Sequence, residues 1–188
     1  MSRLANKAKA GFFPSPEEIV KIVATHIAPP YHGAYHAAYR ALDPCAGEGT
    51  ALALAVWEIR GESNLFGIEL DQDRAREAAK KIWNVLAASY ETVRASKESF
   101  GLLYLNPPYD ADTTQPGRRL EYAFLKRTSE WLAPGGVLVY LIPDYRISRS
   151  IAAFLAARFE RVSVMRFPGS HYNAFRQVTI LAVKRETP

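Results

Sequence analysis

The stretch of sequence that decides the fold runs from Asp43 to Thr50 and reads DPCAGEGT. Residues 39–43 predict a short buried strand, and residues 49–60 have the apolar spacing of a helix. Glycines at such a junction permit a tight turn and let a ligand approach the backbone where the helix begins. The stretch therefore predicts a ligand-binding loop, with a turn that binds nothing as the alternative.

The glycine spacing narrows the class of ligand. Gly47 and Gly49 are present, but Leu52 stands where a dinucleotide fingerprint needs a third glycine, which disfavours a diphosphate. Glu69 ends the next predicted strand, twenty residues after Gly49, where a carboxylate can accept hydrogen bonds from both hydroxyls of a ribose. The pattern favours a nucleoside-bearing cofactor without a diphosphate, and a solvated carboxylate is the alternative for Glu69.

Helical and strand patterns alternate along the chain, which is typical of a mostly parallel sheet with helices on both faces. Ser15 is expected to cap the first helix, with Pro16 at its first position. The predicted helices cover residues 16–29, 49–60, 71–87, 119–132 and 147–159. The predicted strands cover residues 39–43, 65–70, 91–95, 100–105, 137–142, 161–167 and 178–183, the last two as an antiparallel closing pair. We expect an α/β, Rossmann-like fold of about seven strands.

Composition agrees with one globular domain. With 188 residues, 48% hydrophobic and 23% charged, the chain is neither disordered, collagenous nor a coiled coil. We expect one domain over residues 1–188, with residues 1–10 as a mobile basic arm and no separate target-recognition domain. The single cysteine, Cys45, and the absence of an apolar run near ~20 residues predict a cytoplasmic protein without membrane contact. The net charge of +5 favours nucleic acid as a partner.

The most specific motif is NPPY, residues 106–109, at the end of the predicted strand 100–105. Carboxyl ends of strands are where open α/β sheets bind ligands, so this turn should face the same crevice as the glycine loop. The side-chain carbonyl of Asn106 and the backbone carbonyl of Pro107 could each accept one N–H of an amino group on a purine. Pro107 and Pro108 would hold both acceptors in place, and Tyr109 offers a ring on which a flipped base can stack. These four are the candidate catalytic residues.

These motifs together resemble class I S-adenosylmethionine-dependent methyltransferases of the N6-adenine type, over nearly the whole chain. Residues 43–50, 67–71, 105–109 and 167–177 are similar to uncharacterised adenine-methyltransferase-like proteins of bacterial and phage mobile elements. The resemblance implies S-adenosylmethionine as cofactor, and nucleic acid, DNA or RNA, as substrate. The cofactor contacts that it implies are Phe13, Ser15, Asp43, Ala46, Gly47, Gly49, Glu69, Leu70, Ser96 and Asn106.

Two features depart from the family pattern. An acidic residue after the third strand often holds the amino group of the cofactor's adenine, and the expected equivalent here is Ser96, with Glu98 nearby. DNA-modifying relatives also usually append a recognition domain. We therefore expect a separate recognition subunit or segment, or a target selected by shape. The candidate substrate contacts are Tyr109, Arg118, Tyr172 and Phe175.

Alternative functions stay open at this point. The same turn serves relatives that methylate guanine N2 in ribosomal RNA or glutamine in release factors, and a cofactor-binding but inactive subunit would also carry these motifs. A zinc site at His26, His32 and His36 is disfavoured because no second cysteine or carboxylate pair accompanies them, so we expect no metal. Cys45 lies in the cofactor loop and is expected to pack rather than to attack a base.

Overall fold

The computed structural model describes residues 13–29, 39–59, 63–108 and 119–186. The strands in these residues form one seven-stranded sheet: β1 (Tyr39–Asp43), β2 (Ser63–Glu69), β3 (Asn84–Ala87), β4 (Phe100–Leu105), β5 (Leu132–Pro143), β6 (Phe159–Arg166) and β7 (Gln177–Lys184). Their order across the sheet is β3-β2-β1-β4-β5-β7-β6. Strands β1 to β5 pair in parallel, whereas β7 is antiparallel to both of its neighbours. This arrangement confirms the predicted fold class.

Helices cover both faces of the sheet. They are α1 (Glu17–Thr25), α2 (Thr50–Ile59), α3 (Gln72–Ala78), α4 (Leu120–Thr128), α5 (Arg149–Arg158) and α6 (Gly169–Phe175), with a 3-10 turn over Asp144–Arg146. Leu103 and Leu105 of β4 pack with Phe124 of α4 on one face. Leu102 of β4 packs with Leu52 of α2 on the other. Strand β4 is apolar throughout because both of its faces are buried.

The third strand corrects the sequence prediction. Residues 71–87 were expected to form one helix, but α3 ends at Ala78, and residues 84–87 pair in parallel with residues 66–69 of β2. Residues 91–95, predicted as a strand, have no strand structure. The backbone N–H and C=O groups along the edge of β2 form hydrogen bonds with residues 84–87. This pairing outweighs the helix propensity of the segment, which is worth only tenths of a kcal/mol per residue.

The first helix also differs from its prediction. Pro16, not Ser15, occupies the N-cap position and makes no side-chain capping bond, and α1 ends at Thr25 rather than near residue 29. The Ser15 hydroxyl instead faces β4, where it accepts a hydrogen bond from Tyr104. The Ser15 hydroxyl, which the local sequence pattern predicts to cap the helix, therefore forms a long-range hydrogen bond with Tyr104 instead.

The closing part of the sheet agrees with its prediction in topology but not in detail. The antiparallel pairing of β6 with β7 is confirmed. Their connection, expected as a loop, contains α6, and β5 begins at Leu132, inside the predicted helix 119–132. No helix of the described residues is long and apolar enough to cross a membrane.

Candidate active site

The candidate site lies where β1, β2 and β4 end, along one edge of the sheet. Strands β1 and β2 run in register with Asp43 beside Gly67, and Leu42 of β1 lies beside Leu103 of β4. The glycine loop after β1, the carboxylate that ends β2 and the turn after β4 therefore converge, as the parallel topology requires.

The glycine loop needs its glycines. Gly47 and Gly49 adopt positive φ angles of 55° and 78°, a region that side chains disfavour. A Cβ atom on Gly49 would lie 3.0 Å from the Cα of Ala78 in α3 and 3.1 Å from the side chain of Ile82. The loop thus passes close to α3, and α2 begins directly after it, at Thr50.

Glu69 holds the glycine loop and is not a solvated side chain. Its carboxylate is only 6% exposed. One oxygen accepts a hydrogen bond of 2.8 Å from the backbone N–H of Gly47, and the other accepts from the backbone of Asp71 at 2.9 Å and from Arg74 Nη2 at 2.8 Å. The solvated alternative is therefore wrong, and Glu69 joins the ends of β1 and β2 in one rigid arrangement.

Asp43 is a buried carboxyl at the end of β1, 2% exposed. Its Oδ1 accepts a hydrogen bond of 2.9 Å from the backbone N–H of Cys45. Desolvation by burial raises the pKa of Asp43 to about 7; the bond from Cys45 opposes the rise, and the nearby charge of Glu69 adds to it. Asp43 therefore changes charge near neutral pH, in contrast to an exposed aspartate.

Cys45 connects the glycine loop to the turn after β4. Its sulfur accepts a hydrogen bond from the backbone N–H of Asn106. Burial, and then the neighbouring carboxyl of Asp43, raise the pKa of the Cys45 thiol well above its ordinary value. The thiol is therefore neutral and packs between the glycine loop and the turn after β4. A neutral thiol is a poor nucleophile.

The side chain of Asn106 is oriented by the segment that precedes α1. Its Nδ2 donates to the backbone carbonyl of Phe13 at 2.8 Å and to Ser15 Oγ at 3.1 Å. Because a backbone carbonyl can only accept, the nitrogen of the amide must face Phe13. Ser15 Oγ also accepts from the hydroxyl of Tyr104, at 3.0 Å. The carbonyl oxygen of Asn106 is thereby turned away from the Phe13 segment.

A small cavity of about 60 Å³ joins these elements. It is lined by Pro14, Ser15, Asp43, Cys45, Ala46, Glu48, Thr50, Ala51, Tyr104 and Asn106. The structure thus brings together Ser15, Asp43, Ala46 and Asn106, four of the residues predicted from the sequence. Gly47 and Gly49 alternate along the loop with the lining residues Ala46, Glu48 and Thr50, and Glu69 binds the same loop through the N–H of Gly47.

Other predicted residues lie at the margin of this site. Phe13 is 37% exposed and Leu70 is 72% exposed, directly after Glu69. Pro107 is buried and Pro108 half-buried behind Asn106. Tyr109 and Arg118, with His32 and His36, lie outside the described residues. Among the residues described, no group of three or more histidine, cysteine, aspartate or glutamate side chains could hold a metal ion.

Ser96 does not take the predicted position. It precedes β4 by four residues, and its carbonyl accepts a bond from Ser99, at the amino edge of the sheet opposite the glycine loop. The residues that follow β3 are Ala88 and Ser89, and the N–H of Ala88 donates to the carbonyl of Glu69. The prediction that Ser96 follows the third strand is wrong because the third strand was placed too late in the sequence.

The segment before β7 forms the short helix α6, which carries the predicted substrate contacts Tyr172 and Phe175. The hydroxyl of Tyr172 donates to Asp144, and the guanidinium of Arg166 lies 4.8 Å from the centre of its ring. Tyr172 is therefore half-buried and held in place, and the side chain of Phe175 lies outside the described part of the chain.

Sequence reasoning missed Tyr145, which lies in the 3-10 turn directly after β5 and is 61% exposed. The guanidinium groups of Arg146 and Arg176 lie 5.7 and 5.9 Å from the centre of its ring. The signal that could have found it is its place after a strand of the parallel sheet, the same signal that identified Asn106.

Comparison of the sequence with known protein families identifies the family of this chain. The sequence matches the uncharacterised methyltransferase family DUF6094 over residues 1–187. The chain belongs to this family. No curated protein sequence matches this methyltransferase.

Solved structures share the fold of this methyltransferase. A putative class I S-adenosylmethionine-dependent methyltransferase from Listeria monocytogenes is 15% identical, with a TM-score of 0.73 over 98% of this chain and 64% of its own. The methyltransferase subunit of a type I restriction-modification system from Streptococcus thermophilus is 18% identical, with a TM-score of 0.72 over 93% of this chain and 45% of its own. An S-adenosylmethionine-dependent O-methyltransferase from Thermotoga maritima is 15% identical, with a TM-score of 0.63 over 98% of this chain and 71% of its own. This chain therefore spans less than two thirds of the first two.

Family and fold make S-adenosylmethionine the cofactor of this methyltransferase. The residues of the site fit it. The cofactor carries a sulfonium and an ammonium cation, and the described residues that line the cavity include the acidic Asp43 and Glu48 but no basic side chain. An acidic, partly desolvated wall stabilises a cation more strongly than bulk water does.

Proposed function

We propose that this chain methylates the exocyclic N6 amino group of adenine in DNA or RNA. The observation that carries the proposal is the orientation of Asn106 at the end of β4. Its amide nitrogen donates to Phe13 and Ser15, so the acceptor atom of this amide, its oxygen, faces away from the segment that holds the nitrogen.

The chemistry requires acceptors because an amino group conjugated with a purine is a poor nucleophile. The carbonyl oxygens of Asn106 and Pro107 would each accept one N–H, drawing the nitrogen toward a tetrahedral geometry and freeing its lone pair. When bound, S-adenosylmethionine would supply an electrophilic methyl group with a neutral thioether as its leaving group, and the methylated nitrogen would give its surplus proton to water. The buried Pro107 and the bond from Asn106 to Cys45 hold the acceptors still, so orientation provides most of the rate.

Two observations support nucleic acid as the substrate class. The chain has a net charge of +5, and the neighbour from Streptococcus thermophilus is the methyltransferase subunit of a restriction-modification system. An adenine in a duplex must leave the helical stack before its N6 amino group can reach acceptors at the edge of the sheet. We further propose that a separate subunit or segment supplies target recognition, as an assembly of this kind would require.

The test is transfer of a labelled methyl group from S-adenosylmethionine to separate pools of DNA, RNA and protein, followed by nucleoside analysis. We expect N6-methyladenine in one nucleic-acid pool. Asn106→Ala should abolish transfer and leave cofactor binding largely intact, whereas Asn64→Ala, at an exposed asparagine near the start of β2, should behave as the natural chain.

Each other outcome points to a defined alternative. Label in N2-methylguanine or in glutamine would replace adenine as the substrate. Cofactor binding without label in any pool would indicate an inactive or partner-dependent subunit. Loss of both transfer and cofactor binding in Asn106→Ala would indicate a folding or cofactor defect instead of a lost acceptor.

A further inference from the structure

An exposed tyrosine lies just beyond the carboxyl end of β5, the strand next to β4. Tyr145 belongs to the 3-10 turn Asp144–Arg146, and its ring is 61% exposed. The guanidinium groups of Arg146 and Arg176 lie within 6 Å of its centre, at 5.7 and 5.9 Å. Exposed aromatic rings next to arginine are the groups on which unpaired bases stack.

The turn that carries the ring is held by a network that joins two distant parts of the chain. Asp144 accepts hydrogen bonds from Arg176 at 3.0 Å and from the hydroxyl of Tyr172. The backbone N–H of Asp144 donates to the carbonyl of Arg176 at 2.9 Å. Arg176 itself adopts a left-handed conformation with φ 53°, which residues other than glycine rarely do. The turn that carries Tyr145 is therefore tied to the residue before β7.

The charges around the ring are balanced. Arg176 pairs with Asp144, and Arg146 lies 3.4 Å from the fully buried carboxylate of Glu121. The charge of each arginine is thus offset by a neighbouring acid, and both guanidinium groups stay beside the ring. A site of this kind suits the face of a base better than a phosphate alone, since stacking needs a planar surface and not a net charge.

The ring of Tyr145 lies at the same edge of the sheet as the turn after β4 that carries Asn106. Strands β4 and β5 are parallel neighbours, with Leu105 beside Tyr140. β5 continues for three residues beyond that point, to Pro143, which is about 10 Å at the rise of a strand. Tyr145 follows directly and therefore lies on the same carboxyl edge as Asn106, farther out from the sheet.

We propose that Tyr145, flanked by Arg146 and Arg176, is a stacking platform for an unpaired base of the substrate strand that neighbours the base to be methylated. This inference rests on the proposed function, because it assigns a second contact to the same nucleic-acid substrate. Stacking would hold the strand in an opened conformation without reading its sequence, because every base has an aromatic face.

The test compares Tyr145→Ala with Tyr145→Phe, which keeps the ring. Binding of a fluorescent single-stranded oligonucleotide is measured by anisotropy, and stacking by quenching of 2-aminopurine placed in the strand. Tyr145→Ala should weaken binding by roughly fivefold to a hundredfold and lose the quenching, whereas Tyr145→Phe should keep both. Trp83→Ala, at a side chain that is 96% exposed beside β3, is the matched control and should leave binding unchanged.

The outcomes separate this inference from the proposed function. If the natural chain methylates and binds the oligonucleotide, and Tyr145→Ala binds it equally well, the platform is wrong and the proposed function stands. If Tyr145→Ala loses binding and quenching but the natural chain transfers no methyl group to nucleic acid, the platform is supported and the proposed function fails. A natural chain that neither binds nor methylates the strand overturns both.

Discussion

The charge of Asp43 should couple cofactor affinity to pH. Asp43 lines the small cavity, and burial raises its pKa to about 7. A cation that binds beside this carboxyl stabilises its ionised form, so binding should release a proton wherever the free protein holds Asp43 protonated. Affinity for S-adenosylmethionine should then increase as the pH rises towards 7 and become constant above it.

The magnitude follows from the shift. Below its pKa, one proton released on binding changes the affinity up to tenfold per pH unit, and at pH 7 half of Asp43 is already ionised, so the gain between about pH 5.5 and pH 7 is up to ~16-fold. Calorimetric titrations in buffers of different ionisation enthalpy would measure both the affinity and the number of protons released on binding. The range ends near pH 7.5, because the amino group of the cofactor titrates above that, with an ordinary pKa near 7.7–8.0.

Asp43→Asn is the matched variant, since its side-chain oxygen can still accept from the N–H of Cys45. Its affinity should be flat over the same range. A natural chain with constant affinity, or a variant with the same slope as the natural chain, would show that Asp43 does not carry this proton.

The same shift predicts a fall in stability with pH. The pKa of Asp43 is higher in the folded chain, about 7, than its ordinary value of 3.8. The folded state therefore holds the proton more tightly, and the free energy of unfolding of the cofactor-free protein should decrease between about pH 4 and pH 7, by up to ~4 kcal/mol. Asp43→Asn should remove this decrease, which thermal unfolding at several pH values would reveal.

Three further substitutions probe the rest of the site. Ser15→Ala removes one hydrogen-bond acceptor of the Asn106 amide and should lower kcat by roughly tenfold, whereas Ser15→Thr should retain activity. Equal steady-state rates for the two variants would show that Ser15 does not orient Asn106. Gly49→Ala places a Cβ 3.0 Å from α3 at a positive φ and should lower the free energy of unfolding by about 1–3 kcal/mol, seen as a lower Tm. Gly101→Ala, whose Cβ would meet its nearest neighbour at 3.5 Å, should lower it less. Equal losses of stability in the two variants would contradict the close approach of the loop to α3. Glu69→Gln should weaken S-adenosylmethionine affinity severalfold by calorimetry, and an unchanged affinity would remove Glu69 from the cofactor site.

Much of the architecture could be predicted from the sequence because its signals are local. β1 begins and ends as predicted, as does β4, since each is a short buried run that ends at a turn-forming sequence. The glycine loop was placed correctly for the same reason, because the backbone conformation it requires is one that few residues other than glycine adopt. These features depend on residues a few positions apart.

The third strand could not be predicted in this way. β3 has four residues, NVLA, and three of them are exposed, so it lacks the alternation that identifies a strand. Only its pairing with β2 defines it. The predicted place of Ser96 fails for the same reason, because β3 ends at Ala87 and Ser96 lies nine residues further along the chain.

The sequence by itself determined the mostly parallel α/β fold class, the glycine loop after β1 and the turn that carries Asn106. The tertiary structure decided which way the Asn106 amide faces, what the Glu69 carboxylate holds and that Tyr145 is exposed beyond the end of β5. The bonds responsible join residues 91 positions apart, from Ser15 to Asn106, and 22 apart, from Gly47 to Glu69. A hydrogen bond depends on distance and angle in space, and no local pattern encodes which distant group will be there.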